Sequence, residues 1–507
     1  MMKAKTLPKV LKQTTLLFLA MSTSSISAVK YIDKNYFAKR PENENLPLAI
    51  TMHNKFLEGQ KNIIKGTLQA APFLEISSNG SNLADYLMLG DGNKQLSVGR
   101  NKDIDNRYFK FNESNSTNLT GDLSIKPKSK TWGLYLAYHQ PLTKISKHLL
   151  LRVNIPIVQV RCDPRLKIKT NIESSESSKS ISDYFQGEVM FEGTDANGNR
   201  RIMQEALEYG KISRATVKKT GVADVNIELN RRILQSGQFL FNLNALLTLP
   251  TNSPPRAEWL LEPTIGTAGH WGLGLGADGC YKFDDYLQLI YDIRYKYLIK
   301  TNERRILGLK DQSGNKLKLA QYMLFGIIGS PRVAPAANTL AQRVEVNPSG
   351  RFEFLAMFSY NKDNLLGQIG YDLWYKQKDK VKKVRSWENN SYAFPGSDYV
   401  QDIVKILSGS EVIQNQADFT VQHSNVDNTI AEMKPAGTTG TIQSSQLDLE
   451  AAESPSVNSQ KIFASIGYSW DKKEISYYLG TGGSLEFPSN NSGLRGFGLW
   501  IKGGIVF

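Results

Sequence analysis

Apolar and polar residues alternate at period two in twelve stretches of the chain: 64–76, 129–138, 148–160, 222–233, 239–249, 271–283, 286–297, 351–360, 365–376, 461–470, 474–487 and 496–507. Successive side chains of a strand point to opposite faces, so each stretch predicts a β-strand with one apolar and one polar face. Over 286–297, Leu287, Leu289, Tyr291, Ile293, Tyr295 and Tyr297 oppose Gln288, Asp292, Arg294 and Lys296. In the last stretch, Phe497, Leu499, Ile501, Gly503 and Ile505 oppose Gly498, Trp500, Lys502, Gly504 and Val506. Pro156 interrupts the third stretch. A proline offers no donor to a ladder, so it is read as the place where that strand leaves the membrane.

The links between stretches alternate long and short. Connections 77–128, 161–221, 298–346 and 377–459 are long and polar, whereas Gln235-Ser236-Gly237, Asp284-Asp285 and Asn361-Lys362-Asp363-Asn364 are tight turns. Within 298–346, the apolar piece Leu319–Ile328 reads as helical. A soluble sandwich has no reason to alternate link lengths. A barrel threaded through a membrane has one, because its outer loops are long and its periplasmic turns short. Stretches of about ten residues also suit a tilted crossing. The fold expected is all-β: a closed antiparallel transmembrane β-barrel of about 12 strands with long extracellular loops, spanning 63–507. Tyr281, Phe283, Tyr295, Tyr297, Tyr360 and Trp470 fall near strand ends, where membrane barrels carry aromatic girdles.

Lys3, Lys5, Lys9 and Lys12 precede the apolar run Leu16–Met21 and then small residues to Ala28, the layout of a signal peptide over 1–28. Residues 29–62 carry little pattern and read as a periplasmic N-terminal extension or a plug. Beyond the leader no run of about 20 apolar residues occurs, which excludes a helical span. The formal charge of +14 is scattered, without the aromatic-interleaved basic patch that nucleic-acid binding needs. Cys162 and Cys280 fall near opposite ends of the expected barrel, too far apart to bridge.

The terminal stretch resembles the closing strand of bacterial outer-membrane barrels, and the resemblance implies that Phe507 is an assembly signal. Gly221-Val222-Ala223-Asp224, Leu247-Thr248-Leu249-Pro250-Thr251 and Gly272-Leu273-Gly274-Leu275-Gly276 give residues 220–300 a further likeness. Together they resemble the MetA-type outer-membrane transporter family of phenol degradation. That likeness implies passage of small molecules, hydrophobic ones among them, across the outer membrane.

The polar face supplies the expected pore lining. Its basic members include Lys65, Arg152, Arg232, Lys282, Arg294, Lys296, Arg351, Lys376, Lys461 and Lys502. Its acidic members include Glu228, Asp278, Asp292, Glu353 and Asp372, with Glu75, Glu474 and Glu486 beside them. Charges facing a lumen set selectivity, whereas lipid-facing ones cost about 2–4 kcal/mol at the midplane. An alternative stays open, that these charges pair across strands and fill the lumen. The function expected is a porin-like channel for passive passage of small solutes, exported to the outer membrane. Its partners would be outer-membrane lipids, the barrel-assembly machinery and the solutes themselves, with no nucleic acid. No cofactor, metal or catalytic residue is expected, so the chain is not read as an enzyme. A surface adhesive protein using its long loops is the alternative. An outer-membrane hydrolase is disfavoured because none of His53, His139, His148, His270 and His423 pairs convincingly with a serine.

Overall fold

The computed structural model describes residues 30–51, 65–78, 80–88, 96–99, 104–105, 120–171, 181–194, 200–311, 314–317, 319–327, 332–389, 391–393, 441–472 and 475–507. The expected signal peptide, His53, His423, Glu474 and much of the long connections lie outside the described residues.

Every alternating stretch forms a strand. They are β1 (Thr67–Ser77), β2 (Lys128–Pro141), β3 (Leu149–Asp163), β4 (Val225–Gln235), β5 (Phe239–Leu249) and β6 (Gly272–Lys282), followed by β7 (Leu287–Leu298), β8 (Ser349–Lys362), β9 (Leu365–Lys376), β10 (Val457–Lys472), β11 (Ile475–Pro488) and β12 (Gly496–Val506). A short strand, Val217–Val222, leads into β4 and makes one wall element with it. The thirteen strands of the main sheet are therefore twelve wall elements (13 − 1). Each pairs antiparallel with its neighbours, and β12 closes on β1 with Thr67 opposite Val506 and Ser77 opposite Gly496. Gly66 and Phe507 exchange backbone hydrogen bonds of 2.8 and 3.0 Å beneath that ladder. The end carrying the tight turns is called the turn end below, and the other the loop end.

The two faces have the chemistry that the alternation demands. Outward Leu68, Leu273, Leu275, Ile369, Ile466, Leu499 and Ile501 are exposed, Leu275 by 70%. A belt of bare leucine and isoleucine around the whole wall exceeds what a protein surface leaves to water, and matches what a bilayer covers. Among the described residues no helix is long and apolar enough to cross a membrane. Inward positions of β12 show why its other face mixes glycine and tryptophan. Trp500 lies flat over its cross-strand partner Gly482, where a Cβ would come within 2.4 Å of the indole.

Two expectations need correction, and Pro156 takes a place the alternation did not show. β3 continues through Pro156 to Asp163. Pro156 marks where its partner changes: residues 157–162 pair with Val217–Val222, and residues 149–154 pair with β4. The partner strand breaks at Ala223-Asp224, where Asp224 takes φ 46°, so the missing donor falls at a gap in the ladder. The piece expected to be helical from Leu319 is not so over its described residues, 319–327. Leu319 takes φ 56°, and after a single turn at Ala320–Tyr322 the chain becomes the strand Leu324–Ile327, paired with Val333–Pro335. The long connections also hold short strands and small sheets rather than plain loop. Tyr184, Phe185 and Tyr322 are fully buried there, with the rings of Phe185 and Tyr322 5.1 Å apart.

Candidate functional site: the barrel lumen

On the β3–β7 side, the inward charges bond to one another. Arg152 on β3 donates to Glu228 on β4 at 2.6 Å and approaches Asp278 on β6 at 3.3 Å. Arg294 on β7 binds Asp292 at 2.7 Å and Glu228 at 3.2 Å. Asp278 also accepts from Asn230, Asn242 and Asn244 at 2.7–2.8 Å. All of these side chains are buried. In a low-dielectric lumen such a network is stable only when every charge has a partner. Arg232, lower on β4, donates to Gln235. This is the pairing across strands that the sequence left open, and it fills the lumen on that side.

Lys296, Arg351, Glu353, Asp372 and Lys502 face a segment of the chain itself. Residues 30–36 touch the connections at the loop end: Tyr31 N donates to Asn491, Asp33 N to Met88 O, and Arg305 stacks 3.6 Å above the Tyr36 ring. From there the segment descends inside the barrel as the turn Glu42–Glu44 and the short helix Leu46–Ile50. Glu44 accepts from Arg351 at 3.0 Å, Lys296 at 3.2 Å and the Trp374 indole at 2.8 Å. Arg40 binds Asp372 at 2.6 Å and lies 3.6 Å from Glu353. Lys39 pairs with Glu42 and donates to Thr131. Further down, buried Lys502 on β12 donates to the carbonyls of Leu48 and Ala49 at 3.0 and 2.8 Å. Helix carbonyls near a C-terminus carry partial negative charge and suit an ammonium.

Burial opposes ionisation of Glu44, but Arg351 and Lys296 outweigh it and hold the carboxyl at about 2. Glu44 therefore stays charged, and its pairing intact, throughout the neutral range.

Beside the segment a cavity of about 60 Å³ remains, bounded by Lys39, Arg40, Asn45, Glu75, Lys461 and Glu486 and by the hydroxyls of Ser129, Thr131, Ser459 and Ser484. That is room for several waters or a small polar solute. Lys461 sits in it between Glu75 at 3.1 Å and Glu486 at 3.4 Å.

The other residues singled out from the sequence have different surroundings. Lys376 is capped at the loop end by Asp379 at 2.9 Å and by backbone carbonyls. Lys65 precedes β1 and Lys282 ends β6, both half-buried at the turn end. Cys162 and Cys280 are buried and form no disulfide. His270 Nδ1–H donates to Ile299 O at 2.9 Å and the ring lies 3.7 Å from Glu303, which places it in a structural contact. Among the described residues no group of three or more His, Cys, Asp and Glu could hold a metal ion.

The motifs at 220–300 meet in space and fasten the wall. Thr251 Oγ1 accepts from Asp224 N and donates to Val222 O, while Asp224 accepts from the backbone and hydroxyl of Thr267. Gly266 passes so close that a Cβ would fall 2.5 Å from the Asp224 carboxylate. These residues anchor the connection 250–271 to the start of β4; they do not face the cavity. Sequence reasoning missed Lys39, Arg40, Glu42, Glu44 and Asn45. The only signal was the dense charge of Arg40-Pro41-Glu42-Asn43-Glu44-Asn45, in a stretch without periodicity.

No known family profile matches the chain, and no curated protein matches it. Among solved structures, an outer membrane channel from Pseudomonas putida F1 is similar at 9% identity and TM-score 0.38, over 89% of this chain and 98% of that one. The toluene transporter TbuX of Ralstonia pickettii is similar at 9% identity and TM-score 0.26, over 87% and 88%. The NanC porin is similar at 9% identity and TM-score 0.25, over 74% and 93%.

Proposed function

We propose that this chain is an outer-membrane channel for passive passage of small solutes, closed in the state described by its own N-terminal segment. The observation that carries the reading is how that segment is held. Residues 39–50 form no strand with the wall and bond to it through side chains and three carbonyls, beside a polar cavity. A filling of that kind can leave without breaking the barrel. In this reading residues 1–28 are the export signal, 29–62 the plug and 63–507 the barrel, with the loop end outside the cell. Phe507 at the seam is the mark read by the assembly machinery. The likeness of residues 220–300 to the phenol-degradation transporters supports small organic solutes as cargo, and the charged cavity favours polar or ionised ones among them. The inward charges named from the sequence act in two ways: Arg152, Glu228, Asp278, Asp292 and Arg294 brace the wall, as Lys461 does between Glu75 and Glu486, and Lys296, Arg351, Asp372 and Lys502 hold the plug. The reading is tested by planar-bilayer recording with the full chain and with residues 39–50 replaced by a Gly/Ser linker of equal length. Insertion without conductance in both would sink it.

A further inference from the structure

At the loop end, β2, β3 and the strand Val217–Val222 stand side by side, and their outward positions fall into rows. Lys130 is opposite Arg161, and Arg161 is opposite Lys218. Arg161 and Lys218 are exposed, and Lys130 is half-buried between the inward-facing Ser129 and Thr131. Cross-strand neighbours sit roughly 5 Å apart, and like charges there repel. No ion pair joins any of the three to a carboxylate of the described residues. Asp163, one row further out, lies opposite Lys128 and bonds Arg165, and Asp122 lies opposite Lys169.

The next row toward the turn end is polar and interfacial, and it organises the cations above it. Gln159 Oε1 accepts from the Trp132 indole at 3.2 Å and from Arg161 Nε at 2.6 Å, while its amide donates to Thr220 at 3.0 Å. Arg161 is thus fixed by one edge, and its Nη edge has no partner among the described residues. The row after that, Leu134 and Ile157, belongs to the apolar belt. Elsewhere the loop end of that belt finishes in exposed aromatics, such as Trp271, Tyr297, Tyr375, Phe487 and Phe497. Only on this side, among the described residues, does a row of unpaired cations follow the interfacial tryptophan.

We propose that Lys130, Arg161 and Lys218 form a binding site for the phosphorylated headgroup of a lipid in the loop-side leaflet, its acyl chains lying over Trp132, Leu134 and Ile157. A phosphate placed against this row relieves the repulsion among the three and takes the free fork of Arg161. The proposal rests on the chain being a membrane barrel and is independent of whether it conducts.

The test uses the full-length protein in nonionic detergent. Native mass spectrometry measures binding of diphosphorylated lipid A, its dephosphorylated counterpart and inorganic phosphate. The triple variant K130Q/R161Q/K218Q should bind diphosphorylated lipid A more weakly by on the order of 100-fold. The turn-end control K144Q/K147Q should bind it as the parent does, with each barrel's integrity checked by heat-modifiable migration. Equal binding by the triple variant would overturn the proposal, and so would equal binding of the dephosphorylated lipid. Inorganic phosphate binding as tightly as the lipid would reduce the site to an adventitious ion only, which also overturns it. Failure of the parent to insert into vesicles defeats the barrel reading instead, whereas insertion without lipid A binding defeats this proposal alone.

Discussion

The two halves of the lumen wall use the same residue types for opposite ends. Between β3 and β7, arginines and carboxylates of the wall strands satisfy one another, as Arg152, Glu228 and Asp278 do. On the other side, Lys296, Arg351, Asp372 and Lys502 find their partners on residues 39–50. Burying a charge is costly unless it is paired, so each half must be complete, but only one is complete by itself. The difference teaches that a filled lumen need not be a permanently filled one. Charges paired strand to strand leave only when the barrel unfolds, while charges paired to the segment can be released with it.

The largest effect expected follows from removing the releasable half. Replacing residues 39–50 by a Gly/Ser linker of equal length should raise single-channel conductance by about tenfold, since a twelve-strand lumen is wide enough to conduct once emptied. Unchanged conductance would mean that the β3–β7 network alone closes the barrel. On that other half, Glu228→Gln leaves Arg152 and Arg294 short of a carboxylate. It should cost about 3–5 kcal/mol in urea unfolding from lipid vesicles and add no conductance. An increase in conductance would erase the distinction between the halves. Glu44→Gln, which touches only the segment, should raise the open probability about tenfold, the worth of one charged hydrogen bond, with the unfolding midpoint unmoved. Gly482→Ala, which alters no charge of either set, should cost about 1–3 kcal/mol as Trp500 is pushed off its seat, again without a change in current.

The smallest effect is a null one with a definite sign. The Glu44 carboxyl is held at about 2, below its unfolded value. Its contribution is therefore fully present above the unfolded value and is lost only as pH falls through the folded one. Closed-state current should stay flat from pH 7 down to about 4. Opening already near pH 5 would show that another group controls the segment.

What was legible in the sequence divides along the same line. Strands announce themselves by period two, and all twelve lie where the alternation puts them, with ends shifted by a few residues: β1 begins at Thr67 and not at Ile64. The alternation also separates lipid-facing from inward positions, because a charge on the wrong face is too expensive to tolerate. The segment has no such code. Glu44 and Arg351 are 307 residues apart, and nothing local in Glu42–Glu44 says which strands will surround it. The small sheets of the connections escaped for a related reason: pieces such as Leu324–Ile327 and Val333–Pro335 are too short to show a period. Pro156 was visible, but its meaning depended on the gap at Ala223-Asp224, more than sixty positions later in the chain.

The ladder between β1 and β12 has a consequence for the order in which the molecule is made. Residues 30–50 run from the loop end into a space that this ladder seals, bonded on opposite sides to Asn226, Arg351 and Lys502. A thread gripped from several directions is laid down most readily while the cylinder is still a curled, open sheet. Zipping Thr67 to Val506 then becomes the last act of biogenesis, and it encloses the thread. A chain whose seam shuts early would be born hollow, so the timing of that one pairing decides whether the pore begins life stoppered or open.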